Sequence, residues 1–227
     1  MSGWGFMSLS DSLSPSMKFI SKTHDFILIV VIMIISLVLY LSYFLLFGSG
    51  YSRSVVGSEG LEVFWALVPM CLLASLAVPS LHCLYFSEEN FNPLMSIKAV
   101  GHQWYWSYEY SDFDSVSLDS YMMSDLNVWD VRLLSVDQSV ILPVQESIRA
   151  IVSSSDVIHS WALPALGVKV DAVPGRLNQS LVRSEKVGDV FGQCSEICGS
   201  LHSFMPICLS FVPKPQFLNW VKIQISC

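Results

Sequence analysis

The sequence predicts a two-helix membrane hairpin followed by an all-β domain of the cupredoxin-like, Greek-key sandwich or barrel kind. Three observations predict it. Two long apolar runs fill the first third of the chain, the remainder breaks into short β-branched and aromatic runs separated by turn residues, and one loop near the C-terminus concentrates soft metal ligands. The 227 residues are 52% hydrophobic and only 14% charged, with a formal net charge of −7. That balance is unusual for a soluble chain and points to a membrane-anchored one.

The first span is predicted over residues 26–47, FILIVVIMIISLVLYLSYFLLF, which contains neither charge nor proline. At ~1.5 Å per residue it crosses a hydrocarbon core of ~30 Å. A signal peptide would have a shorter apolar region and a small-residue cleavage pattern, which GSGYSRS does not supply. The second span is predicted over 61–86. Pro69 and Pro79 lie inside it, and spanning helices tolerate them because neighbouring groups satisfy the freed backbone. Its polar member, His82, lies near the end, within reach of the interface. Two spans put both termini on one side. Lys18 and Lys22 precede the first span and only Arg53 lies between the two, so the positive-inside rule places the N-terminus inside.

Residues 1–90 therefore read as an N-terminal segment with the hairpin, and residues 91–227 as one β domain. SIKAVGHQWYWSYEY, VRLLSV, SVILPV, SIRAIVSS, LGVKVDAV and ICLSFV are its strand candidates, and PQFLNWVKIQ at 215–224 reads as a short closing helix. The run from Trp104 to Tyr110 reads as one aromatic strand, of which alternation buries only half. The others face solvent, a partner or the membrane surface, and exposed aromatic clusters mark interfaces. From Glu109 to Asp137 there are seven acids (Glu109, Asp112, Asp114, Asp119, Asp125, Asp130 and Asp137) against a single base, Arg132. On composition this is a solvated face or a field that steers a basic partner.

The chemistry concentrates in GQCSEICGSLHSFMP, residues 192–206. Of the six cysteines, Cys71, Cys83 and Cys208 read as small apolar filler and Cys227 is uninformative. Only Cys194 and Cys198 have close polar company. A disulfide between them would leave Glu196, His202 and Met205 unexplained. A structural zinc wants four Cys or His ligands, and Cys194, Cys198, His202 and a remote histidine could supply them, but Met205 is a poor zinc ligand. A thioether beside thiolates suits copper. A mononuclear blue-copper site uses one cysteine, so the second thiolate is most naturally a bridge between two coppers. The second imidazole would then come from His159 on a strand end, or from His102. The remaining weak donor could be the Glu196 carbonyl. No acid–base pair for bond cleavage stands out.

Four stretches in order, GHQWYWSYEY, DVIHSWALP, DAVPGRLNQ and GQCSEICGSLHSFMP, resemble subunit II of the mitochondrial haem–copper type of cytochrome c oxidase. The resemblance runs from the hairpin almost to the C-terminus. The extreme N-terminus and MMSDLNVWDV, residues 122–131, match the pattern poorly, and that segment has no function by resemblance. The family implies a dinuclear copper centre, CuA, with Cys194 and Cys198 bridging, His159 and His202 as imidazole ligands, Met205 as thioether ligand and Glu196 as carbonyl ligand. It also implies a magnesium ion shared with subunit I through the Glu196 side chain. It makes Trp104 the point where the electron enters and cytochrome c the basic partner, with Tyr105, Glu109, Asp112, Asp114, Asp119 and Asp137 on the docking face. It places Glu62, at the start of the second span, at the mouth of a proton pathway. Subunits I and III would be neighbours in the proton-pumping complex. Finally it puts the β domain in the intermembrane space of the mitochondrial inner membrane. That conflicts with the positive-inside reading, and the resemblance is followed because a soluble donor must reach the acidic face. The competing readings are a membrane-anchored copper carrier or assembly factor, which needs exposed, exchangeable ligands, and a zinc-stabilised interaction module.

Overall fold

A computed structural model of the chain describes residues 9–48, 50, 54, 57–88, 92–113 and 116–226. Asp114, Arg53 and Cys227 lie outside the described residues. The chain divides into two units. One is residues 19–86. The other combines residues 1–18 with residues 87–227.

The first unit is helical. Helix α1 spans Pro15–Phe47 and α2 spans Glu59–Glu88, so both are longer than the apolar runs that announce them. Helix α1 begins early because Ser14 caps it. The Ser14 hydroxyl accepts the Met17 N–H at 2.9 Å, and Pro15 occupies the first helical position, where its missing N–H costs nothing. Large apolar side chains are exposed around both helices, as expected of helices whose solvent is lipid. Pro69 and Pro79 are accommodated without ending α2. The His82 ring lies 4.7 Å from that of Phe19, so the imidazole of the second span sits against an aromatic neighbour. Glu62 is exposed in the first turn of α2, where a negative charge favours the helix dipole.

The second unit is a sandwich of two five-stranded sheets. Its strands are β1 (Met95–His102), β2 (Tyr105–Tyr110), β3 (Ser117–Ser120), β4 (Val140–Pro143), β5 (Ile148–Ser154), β6 (His159–Leu163), β7 (Val168–Ala172), β8 (Asn178–Val182), β9 (Gly188–Cys194) and β10 (Pro206–Val212). One sheet runs β3-β2-β1-β5-β8 and the other β4-β10-β9-β6-β7. The pairs β1–β5 and β4–β10 are parallel and the rest antiparallel, as chain crossings between sheets require. Helix α3, Lys214–Ser226, closes the chain and buries Phe217 and Val221. The expected two-layer, cupredoxin-like sandwich is therefore the fold.

Alternation decides the core. Trp106, Tyr108 and Tyr110 of β2 point inward and are buried, whereas Tyr105 and Glu109 face out. Trp161 of the opposite sheet donates its indole N–H to the Tyr108 hydroxyl at 3.2 Å, joining the two sheets through a satisfied polar pair. One sequence expectation is corrected here. The aromatic run is not a single strand. It is broken by a two-residue hairpin turn at Gln103–Trp104, which folds β2 back antiparallel on β1, so that Trp104 is carried by a turn.

Residues 9–18 also join this unit. The Leu13 N–H donates to the Ala165 carbonyl and the Glu185 N–H to the Leu13 carbonyl, both at 2.9 Å, while Ser14 donates to the Leu166 carbonyl at 2.7 Å. Lys18 pairs with Glu185.

Candidate metal centre

Two places in the sandwich supply the site. His159 opens β6, and residues 195–205 connect β9 to β10. In the β6–β9 pairing Trp161 lies opposite Cys194, which sets His159 over the connecting loop. The Ser195 N–H donates to the Ser160 carbonyl at 3.0 Å and the Cys194 N–H to the Met205 carbonyl at 3.4 Å, closing the loop at its base. Gly101 of β1 lies beneath His159. A Cβ there would come within 2.8 Å of the imidazole, so the absence of a side chain lets the ring enter the interior.

The donor atoms converge. The ligand atoms of His159, Cys194 and Cys198 lie within 4.8 Å of one another. The Cys194 Sγ stands 3.9 Å from His159 Nδ1 and 3.3 Å from the Glu196 carbonyl oxygen. The Cys198 Sγ stands 3.4 Å from His202 Nδ1 and 3.4 Å from Met205 Sδ. His159 is fully buried, and Met205, Cys198 and Cys194 are 2%, 4% and 7% exposed. Both thiols are free, so the disulfide reading fails. His102 is not part of the cluster. Its two ring nitrogens face the hydroxyls of Ser155 and Ser107 at 2.7 and 2.9 Å.

The electrostatics separate the two thiols. Burial would raise the Cys194 thiol, but hydrogen bonding to His159 and to the backbone at Ser160 outweighs it and pulls the thiol down to about 7. Burial and the neighbouring Cys194 push Cys198 up to about 12. Two thiolates this close repel each other, and a cation between them would favour ionisation of both near neutral pH.

The sequence reading missed two residues that support the cluster. Asp156 Oδ1 accepts from His159 Nε2 at 2.9 Å, which leaves Nδ1 directed at Cys194. Its other oxygen accepts the Gln103 N–H at 2.7 Å. The Gln103 side-chain amide donates to the Cys198 carbonyl, also at 2.7 Å. Asp156 and the turn that bears Gln103 thus brace the loop together. A carboxylate three positions before a candidate ligand histidine was the available signal, since ligating imidazoles regularly donate their second N–H to a carboxylate.

The aromatic-acidic residues group on β1–β3. Trp104 is half-buried, and its indole lies over Gly199, the residue after Cys198. A Cβ at Gly199 would fall 3.0 Å from Trp104 Cζ2, and its φ of +130° also suits glycine alone. Tyr105 stacks between His102 and Tyr121, with ring centroids 4.5 Å away on each side. Glu109, Asp112, Asp119 and Asp137 are exposed. Glu109 shares its charge with Lys98 at 3.1 Å. Asp112 accepts the Ser96 N–H at 2.6 Å, and Asp137 the Tyr121 N–H at 2.8 Å.

Two long apolar helices, a cupredoxin-like sandwich and a buried Cys₂/His/Met cluster define a class, an anchored protein with a candidate metal centre. Comparison with known proteins identifies the class. Residues 95–212 match the family described as cytochrome C oxidase subunit II, periplasmic domain, and residues 2–83 match its transmembrane domain. The chain belongs to the cytochrome c oxidase subunit II family. It is similar to the periplasmic domain of subunit II of the cytochrome oxidase of Bradyrhizobium japonicum, at 46% identity over 60% of this chain and 96% of that one, with a TM-score of 0.56. It is also similar, at 44% identity, to a solved mixed disulfide between a thioredoxin-like protein and subunit II of cytochrome c oxidase. There the match covers 61% of this chain and 95% of the other, with a TM-score of 0.54. The chain is thus the subunit through which electrons enter the oxidase, part of an oxidoreductase complex that it forms with other subunits. Two membrane helices anchor it, and its β domain is of the outward-facing, periplasmic type.

Proposed function

We propose that the chain accepts electrons from cytochrome c at a dinuclear copper centre, CuA, and delivers them to the haem of subunit I, in a complex that reduces oxygen to water and pumps protons. The observation that carries this reading is the convergence of two free thiols, two imidazole nitrogens, a thioether and a carbonyl oxygen where the β9–β10 loop meets the start of β6, with His159, Cys194, Cys198 and Met205 buried. Cys194 and Cys198 would bridge the metals. His159 and His202 would supply one imidazole each, with Met205 and the Glu196 carbonyl as the weak donors. The thioether and the paired thiols favour copper over zinc. A copper pair supplies one-electron chemistry with its charge change spread over two metals and two sulfurs.

The surrounding residues hold that geometry and keep water out. Asp156 orients His159, Gln103 braces the Cys198 backbone, and Met205 and Trp106 close the interior side. Burial of the donors argues against a carrier that must release its metal, and the family membership argues the same way. Glu196, half-buried, would present its carboxylate to a magnesium ion shared with subunit I. Glu62 would sit at the mouth of a proton pathway. Residues 1–90 would serve as the anchor and 91–227 as the electron-handling domain. The subunit would neighbour subunits I and III in the mitochondrial inner membrane, with the β domain in the intermembrane space. The four sequence motifs support that location, and the Bradyrhizobium japonicum relative is described as a periplasmic domain.

Trp104 would take the electron from a donor drawn in by Tyr105, Glu109, Asp112, Asp114, Asp119 and Asp137. The test is the salt dependence of association with reduced cytochrome c. The association rate is expected to fall steeply as salt shortens the Debye length from ~10 Å at 0.1 M. Neutralising Asp119 and Asp137 together should flatten the dependence, more so than neutralising Glu109, whose charge Lys98 already offsets. An association rate indifferent to salt would contradict the donor face.

A further inference from the structure

Residues 122–136, which include the stretch 122–131 that matches the family pattern poorly, form a loop closed at its base. Met122 and Val136 make an antiparallel bridge, the Met123 N–H donates to the Ser135 carbonyl, and the Asp137 N–H donates to the Tyr121 carbonyl, both hydrogen bonds at 3.0 Å. The tip is a tight turn fastened twice. The Asp130 N–H donates to the Asn127 carbonyl at 3.1 Å, and the Asn127 N–H donates to the Asp130 carboxylate at 2.7 Å. The two residues that this turn presents are Val128 and Trp129, 93% and 92% exposed. They are the most exposed large apolar side chains among the described residues, above even those of the membrane helices. Central turn positions ordinarily carry Gly, Asn, Asp or Pro. A tryptophan held there offers ~150–250 Å² of surface that only a partner can cover.

The setting indicates which partner. Asp125 and Asp130 flank the tip, Asp119 and Asp137 lie at its base, and Arg132 is the one base in the segment. The base is continuous with the face around Trp104, because Tyr121, which the loop leaves, stacks on Tyr105 at 4.5 Å. An apolar knob flanked in sequence by acids, on a loop with further acids at its base, fits a small basic protein with an apolar patch inside a cationic rim, and it disfavours an acidic or purely polar surface. We propose that Val128 and Trp129 are the apolar anchor of the donor-docking face. The acids bring a basic redox protein to the surface and the Trp129 knob lengthens its stay. This rests on the donor reading given above.

The experiment uses the assembled oxidase and cytochrome c as the probe, at one fixed low salt concentration. Val128→Ser with Trp129→Ser is expected to weaken donor affinity about tenfold, mainly through faster dissociation. Trp129→Phe should retain most of the affinity. The salt slope of association should stay unchanged, because no charge is altered, and so should electron transfer at saturating donor. In the wild type, bound donor should protect Trp129 from oxidative labelling. Unchanged affinity in the double variant, or a Trp129 labelled equally with and without donor, would overturn the proposal. So would a variant that binds donor normally but loses other subunits or self-association, because the tip would then belong to an assembly contact. The two readings fail separately. A wild-type association rate indifferent to salt removes the donor face itself, whereas a steep salt slope with an inert Trp129 removes only the anchor.

Discussion

Replacing Cys198 by Ser is expected to abolish the dinuclear centre while leaving the sandwich folded. The two thiols serve different halves of the cluster. Cys194 faces His159 and the Glu196 carbonyl, and Cys198 faces His202 and Met205. A serine hydroxyl fills nearly the same space but does not ionise near neutral pH, so it cannot act as the second bridge. The variant should hold at most one copper per chain, or none, and its paramagnetic resonance should lose any pattern that requires two nuclei. Circular dichroism should be near that of the wild type, because Cys198 lies in a connection and not in a sheet. Loading the wild type near neutral pH should also release protons, since Cys198, pushed up to about 12, must give up its proton to bind metal. A Cys198→Ser variant that keeps two coppers and an unaltered spectrum would contradict the bridging role.

Trp104→Phe is expected to slow turnover with cytochrome c at least tenfold, equivalent to ~1.4 kcal/mol of effective barrier. The indole lies against Gly199, one residue from Cys198, at the edge of the aromatic-acidic face. Its nitrogen is buried without a hydrogen-bond partner, so phenylalanine removes no hydrogen bond while conserving most of the volume. The copper spectrum and donor affinity should therefore stay near normal, and the loss should lie in the electron-transfer step. A structural role predicts another pattern. Truncation to Ala would then cost ~3–5 kcal/mol of stability by leaving a cavity. A Phe variant that transfers electrons at the normal rate would shift the assignment to Tyr105 or Trp106. Trp106 is fully buried with its ring 5.9 Å from that of His159, whereas Tyr105 is the more accessible to a donor.

What the sequence revealed divides along physical lines. Membrane helices announce themselves by hydropathy, but hydropathy ends where polarity begins. The predicted span from residue 26 therefore missed the first turns of α1, which Ser14 and Pro15 start well upstream of it. Strand alternation exposed the two faces of β2, with Trp106, Tyr108 and Tyr110 inside. It could not show the Gln103–Trp104 turn, because that dipeptide carries none of the glycine or asparagine that usually marks a hairpin. The metal cluster was legible because its donors crowd into one loop, and a thioether beside two thiols narrows the choice of metal. Asp156 left a signal three positions before His159 that went unused, whereas Gln103 was not legible, because it acts through a hydrogen bond across the fold, 95 residues from Cys198. The Val128–Trp129 tip was equally hidden, since only the folded turn reveals that both side chains point away from every core.

Two coppers sharing two thiolates are the central claim, and metal analysis combined with paramagnetic resonance of the full chain in detergent tests it most directly. The expected result is two tightly held coppers per chain, with an oxidised form in which one unpaired electron couples to both nuclei and gives more hyperfine lines than a single copper nucleus can produce. A chain that saturates at one copper with a single-nucleus spectrum, or that holds zinc in the same loop, would contradict it.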